Sequence, residues 1–563
     1  MTSIPTAFTQ ADARHKPWVS SYGAIPAEID AEAHGSIVEL MEQAMADHAD
    51  KPAFHCLGQT LSYADVDQQS RALAAYLQQR LGVRKGDRVA LMTPNLLAFP
   101  IACLGIARAG AIQVNVNPLY TPRELEHQLR DSGARVLIIY NGVTATAAEL
   151  LCRADAPLKL DALLTVALDD GSAAVLPSPP VDARLAGKAS TFGEALRIGL
   201  DLHFDPVPIE GEDLLFLQYT GGTTGLSKGA ALSHRNVVAN VQQFKAVMAS
   251  GLRSGEEVIV TAIPLYHIFA LTVNFIAYFS VGAANWLVPN PRDMDSLVDV
   301  MKASRCTVIT GVNTLFAALA NHPRAREIDF SRLRIAGGGG AAVMEATSTQ
   351  WQALTGTFIR EGYGLSETSP VVSFNPDHVS HYNGTTGLPL PSTDVRLIRD
   401  DGSDAALGES GEICVKGPQV MRGYWNQPDA DAAAFTADGF FRTGDVGTFT
   451  PEGFLKIVDR KKDMIIVSGF NVFPNEIEAV ASAYPGVLEC ACIGVPDERT
   501  GEAIRLIVVR AASAALDEQA LIEHCRHHLT AYKIPRQVVF VEQLPKSTVG
   551  KILRRELRNQ PVT

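Results

Sequence analysis

Between Tyr219 and Gly229 the chain reads Tyr-Thr-Gly-Gly-Thr-Thr-Gly-Leu-Ser-Lys-Gly, directly after the apolar run Leu214-Leu215-Phe216-Leu217. Glycine lets backbone N–H groups converge on an anion, the hydroxyls add donors, and Lys228 brings positive charge. The string has the make-up of a phosphate grip. A P-loop would need glycine before the lysine and a metal-binding hydroxyl after it. Here Ser227 precedes Lys228 and Gly229 follows, so the residue that would hold magnesium in that scheme has no side chain. Both positions argue against a motor or GTPase reading.

Other strings with chemical character follow downstream. They are Pro264-Leu265-Tyr266-His267-Ile268-Phe269, Gly337 to Gly340 after the strand-like Leu333-Arg334-Ile335-Ala336, and Glu361-Gly362-Tyr363-Gly364-Leu365-Ser366-Glu367-Thr368. Then come Arg442-Thr443-Gly444-Asp445, Asp459-Arg460-Lys461-Lys462-Asp463, Ser468-Gly469-Phe470-Asn471 and Lys546-Ser547-Thr548-Val549-Gly550-Lys551. In this order and spacing, the set resembles the adenylate-forming enzymes: acyl-CoA synthetases, firefly-type luciferases and peptide adenylation domains.

The resemblance implies a reaction in two halves. A carboxylate oxygen attacks the α-phosphorus of ATP and pyrophosphate departs; the acyl group then passes from AMP to the thiol of coenzyme A. Neither half needs a protein nucleophile, so catalysis comes from alignment and charge neutralisation. By resemblance, Thr220, Gly221, Gly222, Thr223, Thr224, Gly225 and Lys228 hold the β- and γ-phosphates, and Glu367 with Thr223 holds Mg2+. Tyr363 packs against adenine, with Gly338, Gly339 and Ala342 as flat backbone beside the base. Glu361, Gly362, Gly364 and Thr368 belong to the same nucleotide-binding string. Asp445 accepts from the ribose hydroxyls, and Arg460 supplies a further ribose or phosphate contact.

Lys551 is assigned to the carboxylate and α-phosphate, His267 to orienting the carboxylate, and Ser468, Gly469 and Phe470 to the pantetheine side of coenzyme A. Asp459 matches a hinge about which a C-terminal domain swings between the two halves. Taken by themselves these residues read more plainly. Lys551 would be one cation of a solvated basic tail, Glu367 a surface charge, and Tyr363 and His267 core residues.

The runs Asp438 to Asp445 and Asp459 to Asp463, with Gly469-Phe470-Asn471-Val472-Phe473-Pro474-Asn475-Glu476, are similar to the signature of bacterial long-chain fatty-acid:CoA ligases. Phe440 departs from that signature, which has tryptophan there, and the swap bears on tunnel shape. An amino-acid substrate would call for an aspartate shortly after His267, and Ile268 to Val273 contain none. An aryl- or medium-chain acyl-CoA ligase is the alternative on the same scaffold. A protein that stops at acyl-AMP, or only senses fatty acid, is another.

These residues need elements to position them. Apolar runs such as Val89-Ala90-Leu91-Met92, Val136-Leu137-Ile138-Ile139 and Val258-Ile259-Val260 alternate with amphipathic segments, which indicates an α/β fold built on buried sheets. Thr121-Pro122-Arg123-Glu124 reads as a capped helix start, and Ser132-Gly133 as its end. A large N-terminal domain over 1–458 and a small mobile α+β domain over 459–563 are expected. The latter comprises a strand at Met464 to Val467, a helix from Pro474, strands around Cys490 and Leu506 to Val509, and a helix near Leu521.

From Val258 to Pro291 there is no Asp, Glu, Lys or Arg. That length could span a bilayer, but Pro264, His267, Asn274, Gly282 and Asn285 interrupt it, and a strand, a turn and one helix-like run are the expected reading. With 563 residues, 47% hydrophobic and 20% charged, the chain is neither disordered nor collagen-like. A net charge of −12 argues against nucleic acid as a partner. Local positive charge for polyphosphate is expected from Lys228, Arg442, Arg460 and Lys551. Eight dispersed cysteines without a C-x-x-C pair suggest reduced residues, Cys490 and Cys492 sharing one strand face. Met1 to His15 lacks the pattern of a secretory signal, so cytoplasmic residence is expected. Fatty acid, ATP and coenzyme A are the expected partners; transient contact with the inner face of the cell membrane and a homodimer stay open.

Overall fold

The computed structural model describes residues 16–153, 158–173, 175–220, 227–497, 499–511 and 516–558. These residues form two large sheets, a four-stranded antiparallel sheet and a small C-terminal sheet. The first large sheet runs in the order Ser190–Thr191, Ala162–Val166, Val136–Tyr140, Arg88–Met92, Ile112–Asn115, Leu214–Thr220, Lys228–Ser233, parallel except for the last hairpin. The second has a parallel centre of Ala284–Leu287, Val258–Thr261, Val308–Gly311, Ile335–Gly338 and Ile359–Gly364, extended by antiparallel edges.

Both sheets are covered on two faces, which is why their strands are continuous apolar runs. In Arg88–Met92, Val89 and Leu91 enter the core between the sheets, whereas Ala90 and Met92 face helices Pro122–Ser132 and Thr144–Leu151. Ile259 faces the same central core, and Val260 faces the opposite layer, with helices Met294–Ser304, Asn313–Ala320 and Glu345–Thr355. Successive side chains on a strand point to opposite faces, so each strand feeds two cores. The result is a layered α/β body.

Local signals behave as the sequence leads one to expect. Thr121 Oγ1 accepts from the Glu124 N–H while the Glu124 carboxylate accepts from the Thr121 N–H, and Gly133 ends the helix in the left-handed region at φ 65°. The uncharged stretch divides into strand Val258–Thr261, a π-helix at Ala270–Ala277 and strand Ala284–Leu287. Among the described residues no helix is long and apolar enough to cross a membrane.

The four-stranded sheet, Asp394–Ile398, Gly411–Lys416, Phe441–Phe449 and Leu455–Arg460, sets Asp445 directly across from Arg460. Asp459 and Arg460 therefore end a strand of this sheet. The C-terminal sheet, with strands Ile465–Val467, Phe470–Val472, Val487–Asp497, Gly501–Arg510 and Gln537–Val541, has its own core. Cys490 and Cys492 face that core together, whereas Ala491 and Ile493 face a second cluster. All eight cysteines are free.

Candidate active site

In open α/β sheets ligands bind beyond the carboxyl ends of the strands. Four strands of the second sheet end at one cavity of about 2330 Å³: Thr261 leads to His267, Gly311 to Thr314, Gly338 to Ala342, and Gly364 to Glu367. Strand Leu214–Thr220 of the first sheet reaches the same cavity, and Thr220 pairs across its hairpin with Lys228. Gly364 has a packing reason to be glycine, because a Cβ there would lie 2.1 Å from the Pro370 carbonyl oxygen.

On one wall, Asp445 is 5% exposed and meets Arg460 at 3.3 Å through Oδ1. Its Oδ2 accepts from the Tyr363 phenol at 2.7 Å. A carboxylate offers about four lone-pair sites, so two remain for a pair of vicinal hydroxyls. Tyr363 lines the cavity with its ring held at the tip, and burial together with Asp445 pushes its phenol well above the ordinary value. Gly338, Gly339, Ala342, Glu361, Gly362 and Gly364 line the same region. Burial pushes the Glu361 carboxyl up to about 8, and it accepts from the Val343 N–H.

Glu367 lines the same cavity, 8% exposed, with Oε1 accepting from the Tyr424 phenol at 2.9 Å. Burial raises its carboxyl. Lys228 Nζ stands 5.2 Å from the centre of the Tyr424 ring, a cation–π contact with the same residue whose phenol holds Glu367. Among the described residues no group of three or more His, Cys, Asp or Glu forms a metal cage. Magnesium takes one or two carboxylates and completes its octahedron with phosphates and water, and Glu367 on a cavity wall suits that demand.

Lys551 enters from the C-terminal segment. It lies deep in the molecule but faces the open cavity, and burial, with Arg460 adding to it, lowers its ammonium to about 7. His267 is lowered to about 4 by burial and by the nearby Lys551. Its Nδ1 accepts from the Phe269 N–H, so the proton of the neutral ring is on Nε2. The site thus joins a neutral imidazole donor, a cation of adjustable charge, a ribose-type acceptor and a metal-type carboxylate.

Two family regions match the chain: AMP-binding enzyme over residues 41–425, and the AMP-binding enzyme C-terminal domain over 476–551. The chain belongs to the AMP-binding enzyme family. It is 49% identical over 552 residues to a long-chain-fatty-acid–CoA ligase of Salmonella typhimurium, covering 97% of this chain and 98% of the relative. A ligase of the same description from Haemophilus influenzae is 44% identical, covering 95% and 96%. The crystal structure of an anthranilate CoA ligase in complex with anthranoyl-AMP superposes with a TM-score of 0.84 at 25% identity, covering 95% and 98%.

Within this AMP-binding enzyme several expected residues stand elsewhere. Thr368 is fully buried and its hydroxyl bonds the Leu365 and Pro370 carbonyls, so it shapes the turn behind Glu367 and does not line the cavity. Arg442 pairs with Glu412 at 3.1 Å, also off the cavity, which removes it from the expected phosphate charges. Phe440 clusters with Ile398 and Cys414 beneath Arg396 and Lys416, so its bearing on a tunnel is corrected to a bearing on the small sheet. Ser468, Gly469 and Phe470 also lie off the cavity; Phe470 is 56% exposed and stacks on Tyr532. Gly221, Gly222, Thr223, Thr224 and Gly225 lie outside the described residues.

Other contributors lie outside the expected set, although Lys462 stands within the string Asp459 to Asp463. Tyr424 holds Glu367 from 57 residues away. Arg554 binds Asp459, Glu478 and Asn475 at 3.2, 2.7 and 2.6 Å, fixing the segment that carries Lys551 to the strand end at Asp459. Lys462 lines the cavity near Arg460, and burial lowers its ammonium to about 8.

Proposed function

We propose that this AMP-binding enzyme activates a long-chain fatty acid with ATP to acyl-AMP and pyrophosphate, then transfers the acyl group to coenzyme A. The observation that carries the reading is Lys551, delivered by the C-terminal segment into a cavity that already holds His267, Glu367 and the Asp445–Arg460 pair. Relatives described as long-chain-fatty-acid–CoA ligases, similar over nearly the whole chain, support the choice of acid and acceptor.

In the first half, Asp445 would take the ribose hydroxyls and Lys228 the outer phosphates. Lys551 would lie between the carboxylate and the α-phosphate, where positive charge spreads the charge of the pentavalent phosphorus. Nε2–H of His267 would hold one carboxylate oxygen, leaving the other to attack. Glu367 would hold Mg2+, which when bound neutralises phosphate charge. In the second half, a C-terminal domain beginning at Asp459 would swing, withdrawing Lys551 and bringing Ser468 to Phe470 toward the pantetheine arm. Their exposure in this arrangement is consistent with a surface awaiting that step. Cytoplasmic residence with transient contact at the inner membrane face suits a soluble nucleotide and a lipid-borne acid.

Purified protein given ATP, Mg2+, coenzyme A and acids of graded chain length tests the reading. Pyrophosphate and acyl-CoA formed together, favouring long acids, are expected. Accumulated acyl-AMP without thioester would favour the truncated reaction, and no pyrophosphate with any acid would refute the proposal.

A further inference from the structure

We propose that Thr314, seconded by Asn117, is a receiver for the Lys551 loop that stabilises the adenylating arrangement and plays no part in thioester transfer. The proposal rests on the alternation described above. Thr314 Oγ1 donates to the Gly550 carbonyl at 3.1 Å, across 236 residues of sequence. Asn117 Nδ2 reaches Thr548 Oγ1 at 3.4 Å from the end of the first sheet. The two contacts thus come from the ends of different sheets and bracket Val549, with Gly550 leading directly into Lys551.

The loop they grip is already stiff. The Ser547 N–H donates to the Lys551 carbonyl at 2.7 Å, Ser547 Oγ accepts from the Lys551 N–H at 3.1 Å, and the Gly550 N–H donates to the Ser547 carbonyl at 3.0 Å. Such a loop moves as a unit, so the hydrogen bonds that reach it from outside, these two and one between Tyr266 and Thr548, set where the lysine points. Gly550 stands at φ +80°, and a Cβ on it would come within 3.0 Å of both Thr314 Oγ1 and Val312 Cγ2. Close approach of the loop to this helix start is therefore part of the design of the glycine. Thr314 sits in the first turn of helix Asn313–Ala320, whose N-cap Val312 provides no side-chain cap, and its hydroxyl is directed to the other segment instead. If the C-terminal segment moves away, both contacts are lost together with the lysine, whereas the walls built by Asp445 and Glu367 stay.

The test uses the full-length protein with Thr314→Val, which keeps the shape and removes the hydroxyl, and Thr314→Ser, which restores it. One hydrogen bond of about 1 kcal/mol corresponds to roughly fivefold in a docking equilibrium. Hydrogen exchange of the 546–553 peptide, without substrates, is expected to quicken by roughly that factor in Thr314→Val and to return toward wild type in Thr314→Ser. Fatty-acid-dependent pyrophosphate release should fall by a similar factor, while transfer from supplied acyl-AMP to coenzyme A is retained. Unchanged exchange in the loop, or equal loss of both half-reactions, would overturn the receiver. Wild-type protein that released no pyrophosphate would overturn the proposed function instead, and the exchange comparison would still decide the receiver.

Discussion

At the residue scale the site turns on the charge of Lys551. Its ammonium is lowered from 10.5 to about 7 when docked, so docking binds fewer protons than an exposed lysine does between these values. The sign follows: burying this lysine costs most below pH 7, where both states are protonated, and the cost is relieved as pH rises from 7 toward 10.5. Nucleotide phosphates beside the amine favour its charged form. Binding of ATP near pH 8 should therefore take up a fraction of a proton, read by calorimetry in buffers of different ionisation enthalpy, and Lys551→Met should reduce the uptake, leaving the share of Lys462. Lys551→Ala should remove adenylation while sparing much of the transfer from supplied acyl-AMP; parallel loss would argue against a lysine specific to one half-reaction. Asp445, Glu367 and Lys551 were legible because each stands inside a local string. Tyr424, Thr314 and Arg554 were not, because what defines them is a partner 57 to 236 residues away.

At the scale of elements, turn geometry holds Glu367 in place. Gly364 ends its strand against the Pro370 carbonyl, and Thr368 bonds that same carbonyl from the turn that follows. Gly364→Ala would set a methyl against backbone that cannot rotate away, and overpacking of this kind costs about 1 to 3 kcal/mol. Urea unfolding should report that loss, and adenylation should fall because Glu367 rides on the displaced turn. The strands and the helix after Thr121 were readable from apolar runs and caps. The π-helix was not, since its extra residue per turn depends on tertiary bonds. There, Asn274 Nδ2 donates to Thr261 and Thr310, and the Asn274 carbonyl accepts from Asn285. Phe440 misled for a related reason: similarity of motif gave its neighbours in sequence but not the sheet face it occupies.

At the scale of the whole molecule, one arginine ties the C-terminal segment to the last strand of the four-stranded sheet. Arg554 is 14% exposed and faces Asp459, Glu478 and Asp463. Burial raises the Asp459 and Glu478 carboxyls despite the arginine, whereas Arg554 and Arg558 hold Asp463 below its usual value. Arg554→Leu strands buried carboxylates, a change that costs about 3 to 5 kcal/mol. Because protonation relieves a stranded carboxylate, the deficit in unfolding free energy should be larger at pH 8 than at pH 5. The sequence showed that two bodies were expected and where their motifs stood. It did not show which motif occupies the cavity at a given moment, because that depends on contacts between distant segments.

Lys551 is inside the cavity and Phe470 outside it, both in the C-terminal segment, so the two proposed ends of the machinery are not at the cavity together. Under the proposed alternation the mixed anhydride waits, unattended by the lysine proposed to help make it, for as long as the body takes to turn. Protection of a labile intermediate from water then falls to the walls of the large body alone. Scarcity of coenzyme A would show itself as idle, loaded enzyme more than as wasted ATP.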